Sequence, residues 1–389
     1  MKGLPFRTHL NCQSVTSVIT VSAAVIAFVV WTAIPCAAQN HYQQHNLVSD
    51  IPGLADHTDP NLVNPWGIAT SDNSPFWISD NGKDVSTLYD STGTPVPLIV
   101  AVPPGAPTGT VFNTNAGTFN NDVFLFATET GTIDGWRFSL GMTTEILSIV
   151  PSAVFKGIVT ADISGNAYIY ATDFFHGNIT VLPNAGAPAL TGNFTDPNLP
   201  AGYAPFNIQL VNGKLLVTYA LQDADKEDDV PGLGHGFVDR FDLNGSFEQR
   251  LITDGVLNSP WGLAVAPANF GEFSNDLLVG NFGDGLIHAF DPVTGAPIGT
   301  LDDMLGNPIT IEGLWGLRFG NGGMGGDPNT LFFTAGIPGG GQLEDHGLFG
   351  SIRSIPESGT AFGLLLLGLA GIAVWARAIL LGQRQKPNL

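Results

Sequence analysis

The sequence predicts an all-β fold, a six-bladed β-propeller with four-stranded blades, and three observations lead to this prediction. Glycine and proline are abundant, at 49 and 27 of 389 residues, which indicates many short elements joined by turns. Short runs of β-branched and aromatic residues recur between these turns, as is typical of strands. The runs also fall into six similar copies of about 45–50 residues, which is the period of a propeller blade.

A Trp-Gly phrase opens three of the six copies, at Trp66, Trp261 and Trp315. Each phrase is followed by a turn-rich gap and then by a strand-like run, and weaker copies fill the space between the first two phrases. A fourth strand can be placed in most copies, for example at residues 97–102, 145–150 and 247–253. Four strands in each copy complete the pattern expected of a blade.

The sixth copy ends at residues 348–352 without a fourth strand, whereas residues 41–49 precede the first copy and belong to none. We expect residues 41–49 to pair as the outer strand of the last blade and to close the ring. Closure removes the open sheet edges at which another chain could pair. Residues 39–354 should therefore form a single domain.

Residues 1–38 have the pattern of a secretory signal peptide. A basic head precedes an apolar stretch from Val15 to Ile34, and small residues stand before the expected cleavage after about Ala38. An uncleaved membrane anchor is the alternative interpretation. The two cysteines, Cys12 and Cys36, lie in this segment, which excludes disulfides and cysteine metal sites from the mature protein.

Residues 355–389 have the pattern of a membrane-anchored tail. The apolar run 361–381 is long enough to cross a bilayer core of about 30 Å. Arg377 near its end can extend to the interface, and the basic tail with Arg384 and Lys386 would stay cytoplasmic. This orientation would leave the bulk of the chain outside the membrane.

The motif Pro356-Glu357-Ser358-Gly359 before that run resembles the PEP-CTERM sorting signals of Gram-negative bacteria. The resemblance implies that an exosortase-like transpeptidase recognises the motif and cuts near it. It implies an inner-membrane protein facing the periplasm, which is then sorted to the cell surface or the medium. The tail departs from that family, because Arg384 and Lys386 are spaced apart instead of forming a tight arginine run.

The central region carries a second resemblance. A turn between the second and third strands, with Phe-Asp closing the third, resembles the NHL and SMP-30/gluconolactonase-like six-bladed propellers. The phrases at residues 46–53, 59–68 and 222–230 resemble a bacterial family of secreted propellers of unknown function, some of which carry the sorting tail. These resemblances imply a fold and a cellular location for the protein, but no activity.

Trp66, Trp261 and Trp315 are candidate ligand-binding residues, because they would begin innermost strands close to the propeller axis. Tryptophan at such a position can pack between blades. It can also offer a stacking surface for sugars or other rings at the axial mouth. The sequence leaves both interpretations open.

Polar residues recur near the ends of the second strands. Asp80, Glu129, Asp173 and Asn281 would converge near the axis if the blades were equivalent. Carboxylate and amide oxygens suit Ca²⁺, and the SMP-30-like hydrolases that this fold resembles use an axial cation. The alternative is that these are turn residues that bond their own backbone.

A run of five acidic side chains between residues 223 and 229 is a second candidate calcium site, with Asp223, Asp225 and Asp228 as its ligands. Carboxylates this close together repel one another unless they are solvated or bound to a metal. The run lacks the spacing of an EF-hand loop, and a solvated acidic loop is the alternative.

The net charge and the absence of two catalytic motifs limit the classes of function that the sequence allows. A net charge of −20 and a pI near 4.4 exclude nucleic-acid binding through a basic surface. The sequence contains neither Gly-x-Ser-x-Gly nor His-Glu-x-x-His. It therefore favours an exported, non-enzymatic binding or matrix-associated propeller of unknown ligand, with a Ca²⁺-dependent hydrolase or lactonase as the alternative.

Overall fold

A computed structural model describes residues 41–253 and 255–355 of the chain. The predicted signal peptide, the sorting motif Pro356–Gly359 and the apolar run 361–381 lie outside the described residues. Within the described ranges, no helix combines the length and the apolar character needed to cross a membrane.

The described chain begins with two strands, β1 (His41–Ser49) and β2 (His57–Thr58). Three blades follow in chain order, each a separate antiparallel sheet. The first contains β3 Pro65–Ala69, β4 Phe76–Asp80, β5 Val85–Tyr89 and β6 Val100–Ala101. The second contains β7 Pro107–Phe112, β8 Phe124–Thr128, β9 Thr132–Trp136 and β10 Glu145–Ile149. The third contains β11 Phe155–Ile163, β12 Asn166–Asp173 and β13 Asn178–Pro183.

The remaining blades have the same antiparallel order. The fourth contains β14 Tyr203–Val211, β15 Lys214–Leu221, β16 Phe237–Phe241 and β17 Phe247–Thr253. The fifth contains β18 Pro260–Val265, β19 Leu277–Asn281, β20 Ile287–Phe290 and β21 Pro297–Thr300. The sixth contains β22 Leu314–Phe319, β23 Leu331–Ala335 and β24 Leu348–Ile355. Short 3₁₀ helices occupy Asn81–Lys83, Phe119–Asn121, Phe138–Leu140 and Gly271–Phe273. The predicted six-bladed propeller is confirmed.

The first strand of the described chain completes the last blade. β1 pairs antiparallel with β24, from His41 opposite Ile355 to Ser49 opposite Leu348. Tyr42 on β1 is buried, and its hydroxyl donates to the carbonyl oxygen of Phe270 at 2.9 Å. Because Phe270 belongs to the fifth blade, this strand ties two neighbouring blades together, and the predicted closure is confirmed.

The third blade differs from the predicted four-stranded pattern. Within the described residues it has three strands, and residues 184–202 follow β13 without forming a fourth. Pro188, Pro197 and Pro200 in this segment lack the N–H group that a strand ladder requires. The segment packs instead against the fourth blade, where the buried Phe194 donates its backbone N–H to the Gly245 carbonyl oxygen at 2.9 Å.

The apolar core lies between neighbouring blades, whose sheets pack face to face. One buried cluster combines Leu278 and Ile287 of the fifth blade with Leu314, Leu331 and Phe333 of the sixth. Apolar residues removed from water in this way are the main favourable term in folding. Each blade therefore depends on both of its neighbours for its buried surface.

The inner strands approach one another closely around the axis. A Cβ atom at Gly67 would lie 2.5 Å from the carbonyl oxygen of Thr108 on the next inner strand. A Cβ atom at Gly316 would lie 2.7 Å from the carbonyl oxygen of Trp66, at the point where the ring closes. Only glycine fits at these two positions, and this explains the Trp-Gly phrases of the sequence.

Candidate axial site

A register shift near the start of every inner strand adds residues that have no partner in the ladder. Such bulges bend a strand and redirect its side chains. The first unpaired residue of each shift gives a set of six, and five of these six make contacts with one another around the axis. The six residues are Trp66, Thr108, Lys156, Phe206, Trp261 and Trp315.

The three tryptophans form a buried aromatic plug. Trp66 and Trp315 stack with ring centroids 3.5 Å apart, and Phe282 stacks on Trp315 at 4.0 Å. Trp261 packs edge-on against Trp66 at 6.2 Å. A ligand ring could stack on these tryptophans only if one of the neighbouring rings moved. Ligand binding by Trp66, Trp261 and Trp315 thus stays a prediction, and the packing between blades is what the structure contains.

Lys156 is the one charged residue among the six axial positions. Its side chain is 1% exposed, and Nζ lies 4.9 Å from the ring centroid of Trp66. Nζ forms ion pairs with Glu129 and, at 3.5 Å, with Asp228. Burial disfavours the charge, but these carboxylates outweigh it and hold the pKa of Lys156 above its ordinary value.

Amide side chains extend this ion pair into a network. Asn81 Nδ2 donates to Glu129 Oε2 at 2.9 Å, and Asn64 Nδ2 donates to Glu344 Oε1 at 3.0 Å. Asn64 also accepts a hydrogen bond from Trp315 Nε1 at 3.2 Å, which connects the network to the aromatic plug. We call the polar part of this network the axial cluster: Asn64, Asn81, Glu129, Lys156, Asp228 and Glu344.

Two indole N–H groups beside the axial cluster lack a partner. Nε1 of Trp66 and Nε1 of Trp261 are buried without a hydrogen bond to any described residue. The nearby Asp229 carboxyl is hydrogen-bonded to the Ser259 side chain, and burial raises the pKa of Asp229 to about 6. Buried polar groups are normally paired with protein, water or ligand, so the two indoles can donate hydrogen bonds to a bound molecule.

The four predicted metal ligands at the strand ends are not brought together. Glu129 joins the axial cluster, whereas Asp80 accepts from the Thr87 N–H at 2.9 Å within its own blade. Asp173 Oδ2 lies 2.7 Å from His176 Nδ1, and Asn281 Nδ2 donates to the Val256 carbonyl oxygen at 2.8 Å. In the part of the chain that the structure describes, no three His, Cys, Asp or Glu residues are placed to hold a metal ion. As arranged, these side chains do not fit Ca²⁺, and calcium binding stays a prediction.

The acidic run lies between β15 and β16. Asp223 Oδ1 accepts from the backbone N–H of Glu227 at 3.0 Å, and Asp225 is exposed. Asp228 is the member of the run that reaches the axis, where it contacts Lys156. The run therefore contributes one carboxylate to the axial cluster and leaves others at the surface.

Sequence reasoning missed Lys156, although the sequence contains a signal for it. The starts of the six inner strands align at the residue before Gly67, Gly109, Gly157, Asn207, Gly262 and Gly316. Lysine is the single charged residue at an otherwise aromatic or small position of that alignment. Glu344 lies in an irregular loop between β23 and β24, where no local pattern marks it.

Relatives of the chain were found among viral proteins. It is 33% identical over 343 residues to an uncharacterized protein of Acanthamoeba polyphaga mimivirus, covering 82% of each chain. A second uncharacterized protein of that virus is 32% identical over 310 residues, covering 73% of this chain and 80% of the relative. The chain belongs to the family of these two viral proteins. No protein-family model matches the sequence.

The chain also resembles solved structures, with lower sequence identity than it has to the viral relatives. A streptogramin B lyase structure has a TM-score of 0.48 and 13% identity, covering 82% of this chain and 99% of the lyase. A PQQ-bound aldose sugar dehydrogenase from Streptomyces coelicolor gives the same TM-score of 0.48, with 13% identity and the same coverage of 82% and 99%. At these scores neither likeness bears on what the chain binds or does. The relation to a bacterial NHL or SMP-30-like family stays a prediction.

The raised pKa values of several carboxyl groups lead us to expect that the stability of the fold falls as pH rises. Burial raises the pKa of Glu344, Asp134 and Asp239 to about 7, so the folded chain holds these protons more tightly than the unfolded chain. The stabilising contribution is complete below about pH 3, under the unfolded pKa values of about 4, and is lost as pH rises to about 7. We expect the melting temperature to be lower at pH 8 than at pH 5.5 at constant ionic strength.

Asp134→Asn should flatten this pH dependence, because Asp134 is fully buried and its Oδ2 accepts from the Thr132 hydroxyl at 2.8 Å. Asp72→Asn, at an exposed carboxylate, is the matched control and should leave the slope unchanged. Thermal unfolding followed by circular dichroism measures both. A melting temperature that rises between pH 5.5 and pH 8 would contradict the assignment.

Proposed function

We propose that the chain is an exported propeller, tethered to a membrane or sorted to a surface, that binds a hydroxyl-rich ligand such as a glycan at its axial cluster without catalysis. The observation that carries the proposal is the convergence of carboxylates, amides and one ammonium group at a single mouth of the axis. Sugar hydroxyls donate to carboxylates and accept from N–H groups, so this set of groups matches their chemistry.

The unpartnered atoms beside the axial cluster support the same ligand class. The indole N–H groups of Trp66 and Trp261 can only donate, whereas the carboxylates of the axial cluster can only accept when they are ionised. A hydroxyl satisfies both kinds of group, because it donates one hydrogen bond and accepts others. An inorganic anion would satisfy the donors but would be repelled by the surrounding carboxylates.

The contacts of Lys156 favour binding over catalysis. Glu129 and Asp228 both form ion pairs with its ammonium group. The oxygen atoms of both carboxylates are therefore engaged by a cation, which fixes their positions at the axis. The proposed role of these carboxylates is to orient a ligand.

Binding can be tested with a panel of soluble neutral and acidic polysaccharides in affinity electrophoresis and calorimetry. We expect one class to bind, and Asn81→Ala to weaken it about tenfold, which corresponds to about 1.4 kcal/mol. Glu312→Ala replaces an exposed acidic residue that lies outside the axial cluster and should leave the affinity unchanged. If no polysaccharide binds, or if Asn81→Ala binds as well as the wild type, the proposal fails.

Export and tethering have a separate test. Ending the chain after Ile355, the last residue of β24, keeps every described strand and removes the apolar run 361–381. We propose that an exosortase-like transpeptidase acts at Pro356–Gly359 of the full chain, and that the shortened chain is released to the periplasm or the medium. Identical fractionation of the two chains would contradict an anchoring tail.

One observation favours the alternative, a Ca²⁺-dependent hydrolase or lactonase. Asp173 is buried and its Oδ2 lies 2.7 Å from Nδ1 of His176, whose side chain is partly exposed. A carboxylate that orients an imidazole in this way is a common arrangement for a general base. A panel of lactones and esters tests it, and His176→Gln should abolish any turnover that the panel detects.

Calcium binding is the other part of this alternative, with the acidic run as the site. Ligand binding to the folded form alone adds about 2.7 kcal/mol at a hundredfold excess over Kd, so the melting temperature should rise by a few degrees with millimolar Ca²⁺. The rise should saturate and should shrink in Asp225→Asn. NaCl at equal ionic strength is the control, and an equal rise with both salts would leave the run as a solvated surface.

A further inference from the structure

We propose that the opposite mouth of the axis binds a small organic carboxylate through Arg318, independently of the axial cluster and of the function proposed above. The inner strands β14, β18 and β22 end at this mouth. Their last residues line a cavity of about 330 Å³, and Arg318 is one of the lining residues. A cavity of this size accommodates a small organic acid.

The guanidinium of Arg318 is held in place but lacks a counterion. Nε donates to the Thr70 hydroxyl at 2.9 Å and Nη2 donates to the Thr70 carbonyl oxygen at 3.0 Å. Nη1 has no acceptor among the described residues, and no described carboxylate lies within 4.0 Å of the group. Burial lowers the pKa of Arg318 to about 10, so the group keeps its charge at neutral pH.

Other cations with little exposure in the described chain do have carboxylate partners. Arg137 binds Asp122 at 2.9 Å, Lys156 binds Glu129, and Arg250 binds Asp196. Acidic residues greatly outnumber basic ones in this chain, whose net charge is −20. Desolvated charges are normally paired, so Arg318 lacks a partner that a bound anion would supply.

The remaining walls of the cavity select the kind of anion. Leu210, Leu263 and Phe319 give it apolar surface, and Leu210 is 40% exposed although it is a large apolar residue. A planar guanidinium binds a carboxylate with good geometry, and apolar walls favour a ligand with a hydrocarbon part. A monocarboxylate with a short apolar chain satisfies both.

Calorimetry on the full-length chain with hexanoate and hexan-1-ol tests the proposal, because the two probes share a hydrocarbon chain and differ in charge. We expect hexanoate to bind at least about tenfold more tightly than hexan-1-ol, and Arg318→Gln to remove that preference. Equal affinity for the two probes, or no hexanoate binding at millimolar concentration, would overturn the proposal. The comparison on the wild-type chain decides the question even if Arg318→Gln does not fold.

A second variant keeps Arg318 and blocks the site. Leu210→Asp places a carboxylate at the wall of the same cavity, where it would pair with or screen the guanidinium, and should weaken hexanoate binding about tenfold. Leu54→Asp is the matched control, since Leu54 is 41% exposed and lies outside the cavity. Unchanged hexanoate affinity in Leu210→Asp, or an equal loss in both variants, would also overturn the proposal.

Discussion

Deleting His41–Ser49 is expected to abolish cooperative folding of the whole propeller. The deletion removes β1 from the sixth blade and leaves β24 as an open edge, since the two strands pair along most of their length. It also removes Tyr42, which lies 4.9 Å from Phe270 and 5.8 Å from Phe273, ring centroid to ring centroid, and so joins the fifth and sixth blades. Because every blade buries its core against two neighbours, the loss should spread round the ring.

Urea unfolding followed by tryptophan fluorescence measures this effect. A single substitution in the same strand should give a smaller loss of stability. Tyr42→Ala should lower the free energy of unfolding by about 3–5 kcal/mol, the range for a large aromatic residue truncated in a core. Gln43→Ala, at the next and exposed position of β1, should change it by no more than about 0.5 kcal/mol. A deletion variant with an unchanged midpoint would show that ring closure does not depend on this strand.

Lys156→Met is expected to give the second large effect, a loss of about 3 kcal/mol in the free energy of unfolding. Methionine keeps an unbranched apolar stem in place of the lysine stem but removes the ammonium group. Glu129 and Asp228 would then face each other without a cation, close to Glu344. Glu129, whose side chain is 26% exposed, would keep a charge that water solvates only in part, whereas Asp228 is 76% exposed and stays solvated. Removing one partner of a buried ion pair costs more than the pair itself contributes when the charge left behind is poorly solvated.

Lys214→Met is the matched control, since Lys214 also pairs with a glutamate, Glu248, but is 41% exposed. It should cost less than about 1 kcal/mol, as is typical of a surface ion pair. The double variant Lys156→Met with Glu129→Gln should recover part of the loss, because it removes one of the unpaired charges. Equal costs for the two lysine variants, or no recovery in the double variant, would mean that the axial ion pairs do not stabilise the fold.

The strands and their period were predictable because they depend on short-range sequence. Alternating apolar residues bounded by glycine, proline and aspartate define a strand within a few positions, and β1 has the predicted bounds, 41–49. The same local reasoning failed for the outer strand of the third blade. There the prolines of residues 184–202 remove ladder donors, and the segment packs on a turn of the fourth blade instead.

The residues that meet at the axis were predictable only in part. Glu129 was predicted to lie near the axis as a metal ligand, and Asp228 was predicted as a calcium ligand of the acidic run, whereas the cation that both contact in the structure is Lys156. Asp80, Asp173 and Asn281 occupy similar positions at strand ends, yet each contacts groups near its own strand. Similar positions in sequence therefore led to different environments.

The sequence by itself determined the β-strands, the six-fold repetition and the strand that closes the ring, since each of these follows from local patterns and from counting strands. Only the tertiary structure decided which side chains face the axis. That choice depends on the register shift in each inner strand and on residues contributed by distant loops, as when Asp228 and Glu129 approach Lys156 from different blades. Contacts between residues so far apart in the chain arise only once neighbouring blades have packed together, and no local pattern in the sequence specifies them.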